Sequence, residues 1–176
     1  MTFEQKMQLW AVIGTWVAGI ATIFVAVVAL LLARRSEKVR LKANVGLRLA
    51  ITPGISKEEC LKFTVTNVGE RQVTIDSIGW RIGKRKNKRF ALQIVSTLSP
   101  HNYPRKIEHG ETAQFLVYFS ESPNWMRDFV ADFVQDVSDK SINTLRAQVH
   151  TSVDHTVDIV PEQSLLEKLK SVGDGN

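Results

Sequence analysis

Along the chain, apolar and polar positions divide into two unlike patterns. From Leu9 to Ala33 there are 25 consecutive residues without a charge, uniformly apolar, and the run breaks abruptly at Arg34 and Arg35. At 1.5 Å rise per residue, a helix of that length spans about 37 Å, against a hydrocarbon core of about 30 Å. A lone segment in lipid satisfies its main-chain groups only as a helix. The pattern therefore predicts one transmembrane helix over 9–33, with Trp10 at an interface where its ring sits among headgroups. A cleaved signal peptide is the competing reading. Its apolar core is usually about 7–15 residues behind a basic N-terminus and before a small-residue cleavage site. Met1 to Gln8 carries only Lys6 against Glu4, and Ala33-Arg34-Arg35 offers no such site.

Beyond a basic linker, 34–44, the pattern becomes alternating. Val45, Leu47, Leu49 and Ile51 share one face of a half-buried strand, and the turn-rich stretch after Thr52 ends it. Cys60 to Val68 alternates again through Leu61, Phe63 and Val65, with Asn67 next in that series. A turn at Gly69–Arg71 leads to a β-rich run over Val73–Ile82. Phe90 to Val95, Thr112 to Phe119, Leu145 to Thr151 and Thr156 to Val160 complete about seven short strands, the last pairing back through a turn at 152–155. No βα alternation runs through them, which points to an antiparallel sandwich over 45–160.

One helix interrupts the strands. Ser122 and Pro123 offer an N-cap followed by Pro at the first helical position, and Trp125, Phe129 and Phe133 recur every four residues. Met126, Val130 and Val134 widen that stripe, while Asp128, Asp132 and Asp136 take the other side, so a helix sealing the sandwich edge is expected. Residues 161–176 begin with Pro161, place Leu165, Leu166 and Leu169 on one side, and predict a short terminal helix with a frayed end from Gly173.

The segment from Phe63 to Trp80, with Val65-Thr-Asn67-Val-Gly69 at its turn, resembles the second hairpin of immunoglobulin-like and fibronectin-III-like domains. The chain is also similar to uncharacterised bacterial single-span membrane proteins that carry a small cytoplasmic β-sandwich. That resemblance implies an Ig-like fold over roughly residues 45–160, a bacterial inner-membrane location, and Trp80 as a core aromatic. Antibody-type features do not carry over, since Cys60 has no second cysteine to pair with. The family carries no functional residue.

Composition matters here through where the charge lies. The net +5 is the difference between two regions: 17 basic and 5 acidic residues over 34–106, and 5 basic and 12 acidic over 107–176, while Lys6 and Glu4 cancel. Lys6 alone precedes the span, whereas Arg34, Arg35, Lys38, Arg40, Lys42 and Arg48 follow it closely. The positive-inside rule then puts the N-terminus outside and the large C-terminal part in the cytoplasm. A single cysteine agrees with a reducing compartment.

The sharpest local signal is Lys84, Arg85, Lys86, Lys88 and Arg89, five basic residues in six positions between two predicted strands. A loop so charged is either solvated or faces anions. With Arg34 and Arg35 at the end of the span, the simplest anion is lipid headgroup, worth on the order of 1 kcal/mol per Lys or Arg near an anionic leaflet. Nucleic acid is disfavoured, because Phe90 alone borders the loop and base stacking needs interleaved aromatics. Inside the span, Gly14, Ala18, Thr22 and Ala26 recur at four-residue steps, a narrow face against which a second helix, from a partner or another copy, packs closely.

Catalytic and metal constellations are weak. His150, Asp154 and His155 make an incomplete ligand set, His101 and His109 converge only if folding brings them together, and Cys60 reads as a small buried hydrophobe. Glu58 and Glu59 lie in a turn with no cleft implied. There is no G-x-S-x-G, no P-loop and no G-x-G-x-x-G. The expectation is a non-enzymatic, membrane-tethered module that binds protein through loops or a sheet edge, without cofactor or metal. The alternative is a small membrane effector, channel-like or of the exclusion and defence type, acting through an oligomerising span.

Overall fold

A computed structural model describes residues 3–36, 38–51, 57–85 and 87–174. The chain divides into two compact units, Met1–Lys38 and Val39–Asn176. The first is helix α1, Phe3–Ser36, exposed along its described side chains and long and apolar enough over Phe3–Arg34 to cross a membrane by length and composition. It outruns the expected 9–33 at both ends, because the flanking polar residues are themselves good helix formers.

The second unit holds eight strands among the described residues: β1 Leu41–Ala50, β2 Glu58–Asn67, β3 Val73–Ile82, β4 Arg89–Gln93, β5 Arg105–Ile107, β6 Thr112–Tyr118, β7 Arg146–Thr151 and β8 Thr156–Ile159. Every pairing among them is antiparallel. One sheet has the order β1-β2-β6, the other β4-β3-β7-β8, with β5 beside β3. β3 is the centre of the second sheet. Its 78–82 stretch pairs with β4 and its 73–75 stretch with β5, while β7 takes the opposite edge.

Both sheets bury their alternating apolar faces in one core. Val45, Phe63 and Phe115 line up across the first sheet in register, and Trp80 lies opposite Ala147 in the second. The Phe63 and Trp80 rings meet between the sheets at 5.5 Å, edge to face. Helical segments close the core. Helix α2, Trp125–Asp128, runs directly into a π-helical turn, Phe129–Val134, which buries Phe129, Val130, Phe133 and Val134. Phe129 stacks on Trp125 at 4.8 Å and meets Trp80 at 5.0 Å. A four-residue helix α3, Asp139–Ile142, buries Ile142, and helix α4, Gln163–Asp174, buries Leu165, Leu166 and Leu169. Burying each such side chain contributes about 1.5–3 kcal/mol.

Several expectations need correction. The basic linker 34–44 does not exist as one piece: α1 runs to Ser36 and β1 starts at Leu41, whose register partner is Asn67. Leu49 and Ile51, expected inside with Val45 and Leu47, are exposed. Alternation gives a side chain's direction, but whether a second layer covers it depends on the other sheet. Cys60 is the third residue of β2 rather than its first, yet it is buried as expected. Ser122 does not cap a helix: α2 is preceded by Asn124, no side chain caps it, and the Ser122 carbonyl accepts a bond from the Trp125 N–H instead. Widening to a π turn lets the pairs Phe129–Val130 and Phe133–Val134 both face the core, while Asp128, Asp132 and Asp136 stay in solvent as expected. Gly173 lies within α4 rather than in a frayed end, close against Val137.

Asn67, the polar residue in the Val65–Gly69 turn, is fully buried and fully used. Its Oδ1 accepts from the Gly69 N–H at 3.0 Å, and its Nδ2 donates to the carbonyls of Arg71 at 2.8 Å and Ile107 at 3.3 Å. One amide thus ties the β2–β3 turn to β5. Helix α4 is secured differently. The Glu162 N–H donates to the Val45 carbonyl at 3.0 Å, and the Glu162 carboxylate receives both terminal nitrogens of Arg48, at 2.7 and 2.5 Å. That carboxylate occupies the space over Gly46, where a Cβ would collide with it.

Asn67→Ala should cost about 2–4 kcal/mol in urea unfolding, because it orphans buried main-chain groups. A loss below about 0.5 kcal/mol would show that the turn's main-chain bonds suffice. Gly46→Ala should cost about 1 kcal/mol or less, since only a flexible, partly exposed ion pair must give way. In a Glu162→Ala background the same change should become neutral or stabilising, because Gly is a weak strand residue. Equal effects in both backgrounds would refute the contact.

Candidate functional site

Lys84, Arg85 and Lys88 lie in the turn between β3 and β4. Gly83 has φ of 92°, and a Cβ there would strike the Asn87 carbonyl, so this position requires glycine. Arg85 also takes a left-handed conformation, with φ of 52°, and the Asn87 N–H closes on the Lys84 carbonyl at 3.2 Å. The Gly83 N–H is held from outside by the Thr144 Oγ1 at 2.9 Å. The turn consequently displays Lys84, Arg85 and Lys88 in solvent. Lys86 lies outside the described residues, as does the Arg35 side chain, while Arg34 is exposed near the end of α1.

Arg89 differs from its neighbours. Its guanidinium donates to the Val134 carbonyl at 2.9 Å and to the Gln135 Oε1. It satisfies the last turn of the π segment, where Gln135 is itself left-handed with φ of 60°. Sequence alone counts Arg89 with the free cations; only the fold reveals what it holds.

β4 follows immediately. Its inner face is spent on packing: the Gln93 Oε1 accepts the buried Trp80 Nε1 at 2.8 Å, and the Gln93 Nε2 donates to the Ile94 carbonyl at 2.7 Å. On the other face Phe90 is 63% exposed and Leu92 69%, and Ile94, just after the strand, is 78% exposed. The Ala91 carbonyl lies beside Gly79 on β3. Ladder alternation then turns the main-chain groups of Phe90 and Leu92 to the open side of the strand. A groove of about 400 Å³ runs along that side, with Trp125, Phe129 and Glu121 in its wall. The Glu121 carboxylate is fixed by the N–H and hydroxyl of Thr97, at 3.1 and 3.0 Å.

The edges of the other sheet are partly covered. Along β6, Leu116 donates its N–H to the Ser99 Oγ at 3.1 Å, Tyr118 to the Ser96 Oγ at 2.7 Å, and Gln114 to the His101 Nδ1 at 3.2 Å, while the Leu116 carbonyl accepts from Ser96 at 2.9 Å. Along the outer edge of β1, the Val45 carbonyl accepts from the Glu162 N–H at 3.0 Å and the Leu47 carbonyl from the Arg48 guanidinium at 2.7 Å. An uncovered edge strand beside partly masked ones is a place where a partner strand can add.

Several other titratable groups hold the fold together. His101 belongs to the β6 edge, the His109 Nδ1 lies 3.0 Å from the Gly69 carbonyl, and the His150 Nδ1 lies 3.1 Å from the Thr156 Oγ1. These three histidines thus occupy separate hydrogen-bonded settings, and the described residues contain no group of three or more His, Cys, Asp or Glu able to hold a metal. Burial pushes the Cys60 thiol up, away from thiolate character. The bond from Arg48 holds Glu162 below the usual carboxylate range. Burial opposes ionisation of Asp158, but bonds from Gln148 and Arg81, the latter at 2.7 Å, outweigh it. Glu58 accepts the Ser120 N–H at 2.9 Å and Glu59 lies 3.5 Å from the Lys168 Nζ, two unrelated contacts rather than a catalytic pair.

On α1, Ala18, Thr22 and Ala26 are exposed, and a Cβ at Gly14 or Gly19 would meet nothing within 4 Å. Thr15 and Thr22 return their hydroxyls to the carbonyls of Ala11 and Ala18, both at 2.9 Å, so neither leaves an unmet donor on the helix surface.

No protein-family model matches the chain, and no curated protein matches it. Among solved structures, a crystal structure of an ApaA protein from Bordetella pertussis is similar at 11% identity, with a TM-score of 0.32, covering 69% of this chain and 88% of that one. An X-ray structure of a structural-genomics target gives 9% identity and a TM-score of 0.27, covering 71% of this chain and 81% of that one.

Arg89→Ala should destabilise the C-terminal unit by about 1–2 kcal/mol, since it strips two bonds from the π segment. Lys84→Ala and Lys88→Ala should stay within about 0.5 kcal/mol of the parent. Thermal unfolding of the three variants checks this, and equal losses for all three would contradict the assignment.

Proposed function

We propose that the chain is a non-enzymatic, membrane-tethered interaction module. One N-terminal span holds an immunoglobulin-like β-sandwich on the cytoplasmic side of a bacterial inner membrane and offers the open β4 edge to another protein. The observation that carries this reading is α1: Phe3–Arg34 is apolar enough to cross a bilayer, and none of its most apolar stretch is buried by the rest of the chain. In water so much exposed apolar surface is costly, and lipid removes that cost. Basic residues after the span, against Lys6 before it, support N-out and C-in. Tethering raises the effective concentration at a membrane-bound partner, so a five-residue edge strand needs only modest affinity.

The small face of α1 supports a second reading, a small membrane effector of the channel-like or exclusion type working through helix association. Gly14, Ala18, Thr22 and Ala26 then form the packing surface. Gly14→Leu separates the two readings: it should leave partner capture by the C-terminal unit unchanged under the first and abolish span oligomers under the second.

Alkaline extraction should leave the chain in the membrane fraction, and protease added to the cytoplasmic side should digest the C-terminal unit. Release at alkaline pH, or protection of that unit, would refute the anchoring or the orientation respectively. Site-specific cross-linking from β4 to a membrane protein should survive Leu92→Ser and be lost in Leu92→Pro, which removes an outward N–H from the edge.

A further inference from the structure

We infer that Phe90, Leu92 and Ile94 form a ridge that enters the interfacial layer of an anionic bilayer, with Lys84, Arg85 and Lys88 contacting the headgroups; the inference rests on the membrane-tethered reading above. Large apolar residues at 63%, 69% and 78% exposure, alternating along one face of an edge strand, form an apolar row, whereas the other exposed apolar residues of the unit, such as Ile51, Leu98 and Val160, lie apart from it in the chain. Edge strands usually carry charge to discourage association, but here the cations stand at one end of the ridge and none interrupts it.

The relief of the surface favours lipid. Leu92 lies opposite Gly79, which adds no side chain beside it, so the ridge stands clear of its neighbour strand. Arg81, the register partner of Phe90, is drawn away into its pair with Asp158 at 2.7 Å. A protruding apolar line suits a fluid surface that closes around it, whereas a folded partner would need a matching groove. From Lys88 to Ile94 an extended chain covers about 20 Å. That length allows cations in the headgroup layer while the apolar side chains reach toward acyl chains. The charges are of one sign, and each faces solvent. Chain connectivity adds a further reason: only residues 37–40 separate α1 from β1, so a spanning α1 keeps the C-terminal unit near headgroups at all times. Insertion uses the outward side chains of β4, and an incoming strand uses its in-plane main-chain groups, so the two modes do not compete for the same atoms.

The test uses the full chain in nanodiscs of phosphatidylcholine, with or without phosphatidylglycerol. A polarity-sensitive dye on Leu92→Cys, in a Cys60→Ala background, should shift to the blue in anionic discs and not in neutral ones. High salt or Lys84→Glu/Arg85→Glu/Lys88→Glu should abolish that shift. The unmodified chain supplies a second readout: amide exchange over 89–94 should slow several-fold in anionic discs. Equal dye response in both lipids, no response in either, or protection of 89–94 that needs an added acidic protein would each overturn the inference. Alkaline extraction of the same samples separates the two claims. A chain that stays embedded without a dye shift loses the ridge alone, while one that is released but whose dye still responds to added anionic vesicles keeps the ridge and loses the anchor.

Discussion

The contact on which the C-terminal unit depends is the indole of Trp80. Its ring meets Phe63 of the facing sheet and Phe129 of the π turn, while its N–H reaches the Gln93 side chain on β4. One side chain therefore joins both sheets, the helical closure and an edge strand. An indole suits that position because it offers a large apolar body and a single donor, and the donor finds an acceptor without leaving the core. Trp125 and Phe133 extend the same aromatic contacts outward from Phe129.

That arrangement determines what β4 can show to solvent. Gln93 must turn inward to accept the indole N–H, so the alternation of the strand sends Phe90 and Leu92 outward. Arg89 is drawn onto the end of the π turn, which Phe129 in turn holds against Trp80. The basic turn and the apolar ridge are thus two consequences of how the core accommodates one indole. The edge is left open because the segment after β4 crosses to the other sheet and covers β6 instead, through Ser96, Ser99 and His101.

Much of the architecture was legible in residue order. β3 begins and ends where its β-rich run does, at Val73 and Ile82. Asn67 fell on the inward side of its alternation, and the aromatic stripe from Trp125 correctly separated a buried face from the aspartates. The leucines of α4 were likewise placed. What escaped has physical causes. β5 is three residues long, too short for any periodicity, and exists because β3 has an edge to spare beyond β4. The π turn arises because four apolar residues must share one core-facing turn. For the candidate surface, the charge of the turn was plain, but the alternation of Phe90, Leu92 and Ile94 could not say which face was buried.

By itself the sequence determined the quantities that depend on local order: the uncharged run long enough to cross a bilayer, the asymmetry of basic residues about it, and the strand-forming alternation behind it. Each follows from residue spacing and composition alone. Tertiary structure decided which face of each strand is covered, which of the clustered cations remain free, and how far each sheet edge is covered. Those depend on a second surface arriving from a distant part of the chain. Arg89 finds Val134, Gln93 finds Trp80 and Arg48 finds Glu162 only after the sheets, the π turn and α4 have packed.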